Sequence, residues 1–281
     1  MKKQIIATGI SGLVGSRIAE LLQDKYKFIN FGLEGRVDIT DFSQLKLKFK
    51  EFSKAKTVLH LAAFTDVTAA FKQNEDKNGS CYKVNVLGSK NITQLCKKHK
   101  KYLIHISTDF VFDGKNSPED GYTEENMPDP MEWYGKTKYL AEEEVKNSGC
   151  EYCILRIAFP FKAKNSPKNL EPNPKLDLVR EIKRKLEAKE KVEMFFDQVI
   201  TPVFIDDIAK VVEKCIEEKP QGIFHCVGSA SLSPYNLASK IAHAFDLDKT
   251  LIKKTSVMNF TEQNPDARSR QINMSLSNKK L

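Results

Sequence analysis

Lys3-Gln-Ile-Ile-Ala-Thr-Gly-Ile-Ser-Gly-Leu-Val-Gly15 decides the fold. A short apolar run ending at Ala7 reads as a buried strand and passes straight into a turn with glycines at 9, 12 and 15. The next segment, through Leu22, places Val14, Ile18, Leu21 and Leu22 at helical spacing. Strand, glycine turn and helix together form the context that a dinucleotide-binding loop requires. Gly9 permits the tight turn, Gly12 lets the backbone approach a pyrophosphate, and Gly15 lets the helix pack closely on the strand. The helix N-terminus then offers free N–H groups and a partial positive charge to phosphate. Ser11, Leu13 and Val14 therefore join Gly9, Gly12 and Gly15 as candidate cofactor-binding residues.

The same alternation continues down the chain. Lys27–Phe31 reads as a second strand. Val37-Asp-Ile-Thr-Asp41 opens a helix capped by Thr40 or Asp41, with Phe42, Leu45, Phe49 and Phe52 on its inner side. Thr57–Ala63 is a third buried strand. Its end, Leu61-Ala62-Ala63, is small enough for a cofactor ribose and phosphate to come close, and His60 reads as a satisfied core residue. A helix from Tyr82 to Lys98, a strand Tyr102–Ser107 and a strand Glu151–Ile157 follow. Strands alternating with helices predict an α/β fold: a Rossmann-like, doubly wound parallel sheet. Pro160, Pro167, Pro172 and Pro174 mark the strongest composition shift. They divide a nucleotide-binding domain over 1–160, with a return segment at about 198–228, from a smaller, mostly C-terminal α/β subdomain over 161–197 and 229–281. In that subdomain Ser233 caps a helix with Pro234 at its first position.

Composition narrows the class. A hydrophobic fraction of 41% is ample for a packed core, and no apolar run reaches membrane-spanning length. The charged N-terminus lacks a long apolar stretch and a small-residue cleavage site, so a cytoplasmic location is expected. The net charge of +8 comes from lysines interleaved with glutamates, as in Lys183–Lys191, which reads as a solvated surface rather than a nucleic-acid site. The six cysteines are scattered. Cys150 and Cys153 form a C-x-x-C with no second pair, and no metal site is expected.

Tyr134-Gly-Lys-Thr-Lys138 supplies the chemistry. Four residues apart on a helix, Tyr134 and Lys138 share a face. An ammonium beside a phenol favours the phenolate and makes the tyrosine a usable acid or base. Asp129 as N-cap, Pro130 at the first helical position and Glu132 in a capping box predict the helix start, and Gly149 its end.

The G-x-x-G-x-x-G spacing resembles the extended short-chain dehydrogenase/reductase superfamily. Ser107-Thr-Asp-Phe-Val-Phe-Asp-Gly114 is similar to a signature of its dTDP-4-dehydrorhamnose reductase family. Asp197-Gln198 with Pro202, and Arg270 with Asn273, match further stretches of that family. The resemblance spans nearly the whole chain and implies hydride transfer between NAD or NADP and a nucleotide-linked sugar. It makes Thr108, Tyr134 and Lys138 catalytic, and Tyr134 and Lys138 cofactor-binding as well: Thr108 orients the carbonyl, Tyr134 gives the proton, and Lys138 favours the phenolate and holds the nicotinamide ribose. It places Asp38 and Ile39 against the adenine and Asn85 near the catalytic lysine. Asp109, Phe110, Phe159 and Arg270 join Thr108 on the substrate side. Glu34 suits NAD and Arg36 suits NADP, so the cofactor preference stays open. Dehydratases of the superfamily carry an acid–base pair after the strand hydroxyl; Asp109-Phe110 lacks its glutamate, which favours simple reduction of a 4-keto-6-deoxy sugar. Phe159, Phe161, Ile200-Thr201 and Thr68 depart from the family's usual residues and leave the sugar open. Another nucleotide-sugar epimerase or oxidoreductase, or a cofactor-binding regulatory subunit of another enzyme, are the alternatives. A homodimer is compatible with the resemblance, and no residue pattern establishes one.

Overall fold

A strand covered on both faces must be apolar along its whole length. β3 (Thr57–His60) and β4 (Tyr102–Thr108) are buried at every residue, so they belong at the centre of a sheet. In the computed structural model, which describes residues 2–163 and 176–281, they do. Six parallel strands run in the order β2-β1-β3-β4-β5-β9, with β1 at Lys3–Thr8, β2 at Tyr26–Asn30, β5 at Tyr152–Ile157 and β9 at Gly222–His225. From β1 the chain steps outward to β2, then crosses back to β3 on the other side. That reversal opens a crevice at the carboxyl ends of β1 and β3, where an open α/β sheet takes its ligand.

Helices cover both faces. On one side α1 (Leu13–Leu22) and α8 (Ile205–Glu218) bury Ile18, Leu22, Ile208 and Val212 against Ile5, Leu59, Ile104 and Leu155. Arg17 of α1 ties the two helices together by donating from Nε and one terminal nitrogen to Asp206, at 2.7 and 2.6 Å. On the other side α2 (Phe42–Glu51), α5 (Ser89–Lys98) and α6 (Trp133–Lys146) contribute Leu45, Phe49, Ile92, Leu95 and Val145 to a second cluster. Between these helical runs lie α3 (Val67–Phe71) and the short α4 (Ser80–Tyr82). A separate small core joins α7 (Leu178–Glu187), α9 (Pro234–Ala244) and a two-stranded parallel sheet of β7 (Val192–Phe195) and β10 (Ile252–Thr255). A second pair, β6 (Pro160–Phe161) and β8 (Val203–Phe204), lies between α7 and α8, and α10 (Val257–Gln263) precedes the tail. Among the described residues, no helix is long and apolar enough to cross a membrane.

Several local expectations are met. Asp41 caps α2 by accepting from the backbone N–H of Gln44, and Ser233 caps α9 with Pro234 in its first turn. Others are corrected. Phe42 is 40% exposed, so the apolar stripe of α2 begins at Leu45. The stretch read as one helix from Tyr82 is α4, then a π-helical segment Lys83–Gly88, then α5. The helix expected from Asp129 starts at Trp133, with Glu132 as an N-cap whose side chain makes no capping bond. The Glu132 carboxylate is occupied by Arg268, at 3.3 and 3.4 Å, and so does not fold back on the helix. Pro167, Pro172 and Pro174 lie outside the described residues.

Candidate active site

The glycine turn follows β1 as its spacing demands. Gly9 has φ +64°, and a Cβ there would lie 2.6 Å from the backbone N of Ala62. A Cβ on Gly15 would lie 2.6 Å from the carbonyl oxygen of Gly9, so α1 packs on the turn with no room for a side chain. Gly12 is the N-cap of α1 and supplies no side-chain cap, leaving first-turn N–H groups at Leu13 and Val14 for a ligand. Ser11 is exposed beside them. Leu61, Ala62 and Ala63 continue from β3 along the same crevice and are partly exposed; Ala62 N donates to Thr8 Oγ1 at 3.1 Å. Backbone approach, small side chains and a bare helix end fit a dinucleotide.

Asp38 and Ile39 lead into α2. The Asp38 carboxylate accepts from the backbone and hydroxyl of Thr40, both at 2.8 Å, which fixes a turn. Ile39 is buried beneath Gly88, where a Cβ would come within 2.6 Å of Ile39 Cδ1. Glu34 and Arg36 are both exposed.

The carboxyl end of β4 meets the start of α6. Thr108 Oγ1 donates to Asp109 Oδ1 at 2.9 Å and accepts from Phe110 N at 3.3 Å. Tyr134, at the start of α6, is buried, with the Thr108 side chain among its neighbours. Burial, then the nearby Asp109 carboxylate, push the Tyr134 phenol well above its ordinary range. This reverses the expectation that Lys138 would draw Tyr134 toward neutrality. The physical reason lies in the lysine's own position: Lys138 Nζ donates to the carbonyl oxygen of Ile106 at 2.7 Å, and burial lowers its pKa to about 8 against the opposing pull of Glu142. Burial also raises Asp109 to about 7, and its Oδ2 has no partner among the described residues. Gly135 allows the contact between the two elements, because a Cβ there would stand 2.1 Å from the carbonyl oxygen of Phe110.

Asn85, in the π-helical segment, braces this corner. Its Oδ1 accepts from Phe64 N at 2.8 Å and its Nδ2 donates to Thr137 Oγ1 at 2.9 Å, so it grips the residue preceding Lys138. His60 is the core residue expected: its ring nitrogens lie 2.6 Å from Thr8 Oγ1 and 2.9 Å from Ser89 Oγ, and burial drops its pKa to about 3.

Phe110 meets Tyr134 edge-on, with ring centroids 5.5 Å apart, and Arg268 lies over the Phe110 ring at 5.6 Å. Arg270 lies over Phe260 at 5.0 Å, and its buried Nε has no partner among the described residues. Phe159 is half-buried against Phe112, Tyr122 and Leu276 with φ +42°, a strained backbone for an aromatic residue. The tail reaches the site because Gln198 Nε2 donates to the carbonyl of Gln271 at 2.7 Å and Met274 N donates to Val199 O at 2.8 Å. Sequence reading passed over Arg268 and Gly135, and took Glu132 for a capping residue rather than the partner of Arg268. Arg268 and Glu132 are 136 positions apart and carry no shared pattern; Gly135, inside the Tyr134–Lys138 pentapeptide, was the signal available.

The family model described as "RmlD substrate binding domain" matches residues 2–281. The chain belongs to the RmlD substrate-binding domain family. Among curated proteins, the chain is similar to the "Probable low-salt glycan biosynthesis reductase Agl14" of Haloferax volcanii, 28% identical over 96% of this chain and 89% of that protein. Among solved structures, a dTDP-4-dehydrorhamnose reductase from Bacillus anthracis in complex with NADP superposes with a TM-score of 0.86 at 25% identity, covering 100% of this chain and 92% of the other. A dTDP-4-dehydrorhamnose reductase ortholog from Clostridium acetobutylicum gives 0.84 at 29% identity, covering 98% and 90%.

Proposed function

We propose that this chain reduces the 4-keto group of a nucleotide-linked 6-deoxy sugar with NADPH or NADH, in the manner of a dTDP-4-dehydrorhamnose reductase and in the service of polysaccharide synthesis. One observation carries the reading: a buried Tyr134, held protonated by burial, one helical turn from Lys138 and at the carboxyl end of β4 where Thr108 stands, beside a dinucleotide cradle. The nicotinamide cofactor, when held by Gly9, Gly12, Gly15, the first turn of α1 and Leu61–Ala63, supplies the hydride.

This chain's residues handle the rest. Thr108 orients the substrate carbonyl by a hydrogen bond. Tyr134 gives its proton to the oxygen on which negative charge develops. An alkoxide is a far stronger base than a phenolate, so a phenol held protonated by burial is the correct starting state. Lys138, charged below about pH 8, stabilises the phenolate left behind and holds the nicotinamide ribose. Asp109 is followed by Phe110 rather than a second carboxylate, so no acid–base pair for dehydration is in place. The described residues of 161–197 together with 229–281 form the substrate side, with Arg268 and Arg270 facing the nucleotide sugar's charge, and the cytoplasm is the location this activity needs.

The test is NAD(P)H oxidation with a panel of nucleotide 4-keto sugars, comparing wild type with Tyr134→Phe. Turnover by the wild type and its loss in the variant support the reading. No turnover on any member of the panel, with normal cofactor binding, sinks it.

A further inference from the structure

We infer that Glu142, clamped to Arg156 and Ser107, is a positioning residue that sets both the seating of α6 on β4 and the charge state of Lys138; only its effect on turnover rests on the reductase reading.

Tyr134, Lys138 and Glu142 stand four residues apart along one stripe of α6. All three are buried, Glu142 most completely: its side chain is 0% exposed and that of Arg156 1%. Glu142 Oε1 accepts from Ser107 Oγ at 2.5 Å and from Arg156 Nε at 2.9 Å, and Oε2 accepts from a terminal nitrogen of Arg156 at 2.7 Å. Ser107 is the residue before Thr108 on β4, and Arg156 lies on β5. Arg156 is itself fixed, with its guanidinium 5.0 Å over the Phe112 ring and its other terminal nitrogen 3.4 Å from His225 Nε2 on β9.

A bidentate guanidinium–carboxylate pair is intolerant of displacement, because two parallel bonds must lengthen together. A helix held this way cannot slide along the strand without breaking the clamp. Sliding is the motion that would separate Tyr134 from Thr108. Net stability does not account for the pair, since apolar residues of similar volume stabilise an interior as well or better.

The same carboxylate acts on Lys138. The titratable groups close enough to couple to that ammonium are Glu142 one turn along α6, Cys81 from α4, His60 from β3 and His105 from β4, and the ammonium itself donates to the Ile106 carbonyl. Burial holds both histidines neutral and keeps the Cys81 thiol protonated. Among these groups the negative charge comes from Glu142, which opposes the loss of the lysine's proton.

The experiment titrates Lys138 directly, by NMR of the folded protein carrying 13C at lysine Cε, with the resonance assigned from Lys138→Arg. In the wild type the midpoint is expected near 8. Glu142→Gln should lower it by about half a unit or more, roughly a threefold loss of proton affinity. Should that variant fail to fold, Glu142→Met with Arg156→Met removes the pair without an orphaned charge and is expected to lower the midpoint as well. Ser107→Ala should leave the midpoint unmoved. Glu142→Asp keeps the charge but shortens the reach, so it should hold the midpoint while kcat on nucleotide keto sugars falls about tenfold or more with cofactor KM unchanged. An unmoved midpoint in folded Glu142→Gln, or in the double variant, overturns the electrostatic half. Wild-type kcat in Glu142→Asp overturns the positioning half. If even the wild type turns over no keto sugar, the reductase reading fails, while the midpoint still decides the charge on Lys138.

Discussion

The ammonium of Lys138 donates to the carbonyl oxygen of Ile106 at 2.7 Å, two residues before Thr108 on the same strand. The strand that presents the hydroxyl therefore also anchors the lysine. All three proton-handling groups rest on β4 and α6, with α6 pressed at Gly135 against Phe110 in the turn that follows β4. Rigid placement of this kind is what general acid catalysis requires.

Tyr134→Phe removes the proton donor but keeps the ring against Phe110. Its kcat is expected to fall by about 100- to 10,000-fold. Cofactor affinity, measured by quenching of protein fluorescence, should stay within about twofold, because the glycine cradle is untouched. Thr108→Val should lose less, as it removes orientation and leaves the proton.

The glycines separate folding from binding. Gly15→Ala places a Cβ 2.6 Å from backbone atoms on both Gly9 and Ile10, and should destabilise the protein by about 1–3 kcal/mol in urea unfolding. Gly12→Ala meets only Gly9 O at 3.3 Å and should unfold nearly as the wild type does. Its methyl occupies the approach of the pyrophosphate, so nicotinamide-cofactor affinity should drop about tenfold or more. Equal cofactor affinity in folded Gly12→Ala would place the phosphates elsewhere.

Asp109 gives the site a pH signature. Its folded-state pKa of about 7 lies above the ordinary carboxylate value, so the native protein holds this proton more tightly than the unfolded chain does. The sign follows: this residue's contribution to stability is fully present at low pH and declines between about pH 4 and 7. Asp109→Asn should lack that decline and exceed the wild type above pH 7, by no more than about 4 kcal/mol. Thermal denaturation of both proteins across that range measures the difference; parallel curves would contradict the assignment.

Arg268 tests the substrate side. Replacing it with Gln breaks the pair with Glu132 and vacates the face of Phe110. The expected outcome is a tenfold or greater loss of kcat/KM for the nucleotide sugar, borne mainly by KM, with cofactor affinity unchanged. Steady-state kinetics with each ligand varied in turn separates the two.

The legible parts of this molecule are those whose cause is local. A strand running into three spaced glycines and then a helix reads in one direction, and the structure keeps Gly9 and Gly15 where any side chain would collide with backbone. Ser233 and Asp41 cap helices because a cap needs only the N–H three residues on. Local signals mislead where a distant partner competes. Glu132 fits a capping box, yet its carboxylate goes to Arg268, and α6 begins later than the Asp129-Pro130 pattern indicates. The Tyr134–Lys138 spacing reads correctly as one face, but it cannot report burial, which here outweighs the lysine and pushes the phenol up. Glu142 was invisible for the same reason: in sequence it is one more glutamate in Glu142-Glu-Glu144, and only the sheet beneath it, through Ser107 and Arg156, sets it apart from its neighbours.

The most direct measurement follows the hydride itself. Incubating the protein with NADPH deuterated at nicotinamide C4, each face in turn, and a dTDP-linked 4-keto-6-deoxy sugar should give a product carrying deuterium at sugar C4 from one face only, with Tyr134→Phe forming it far more slowly. A sugar product without deuterium from either face, or no product from a protein that binds NADPH normally, would contradict the account.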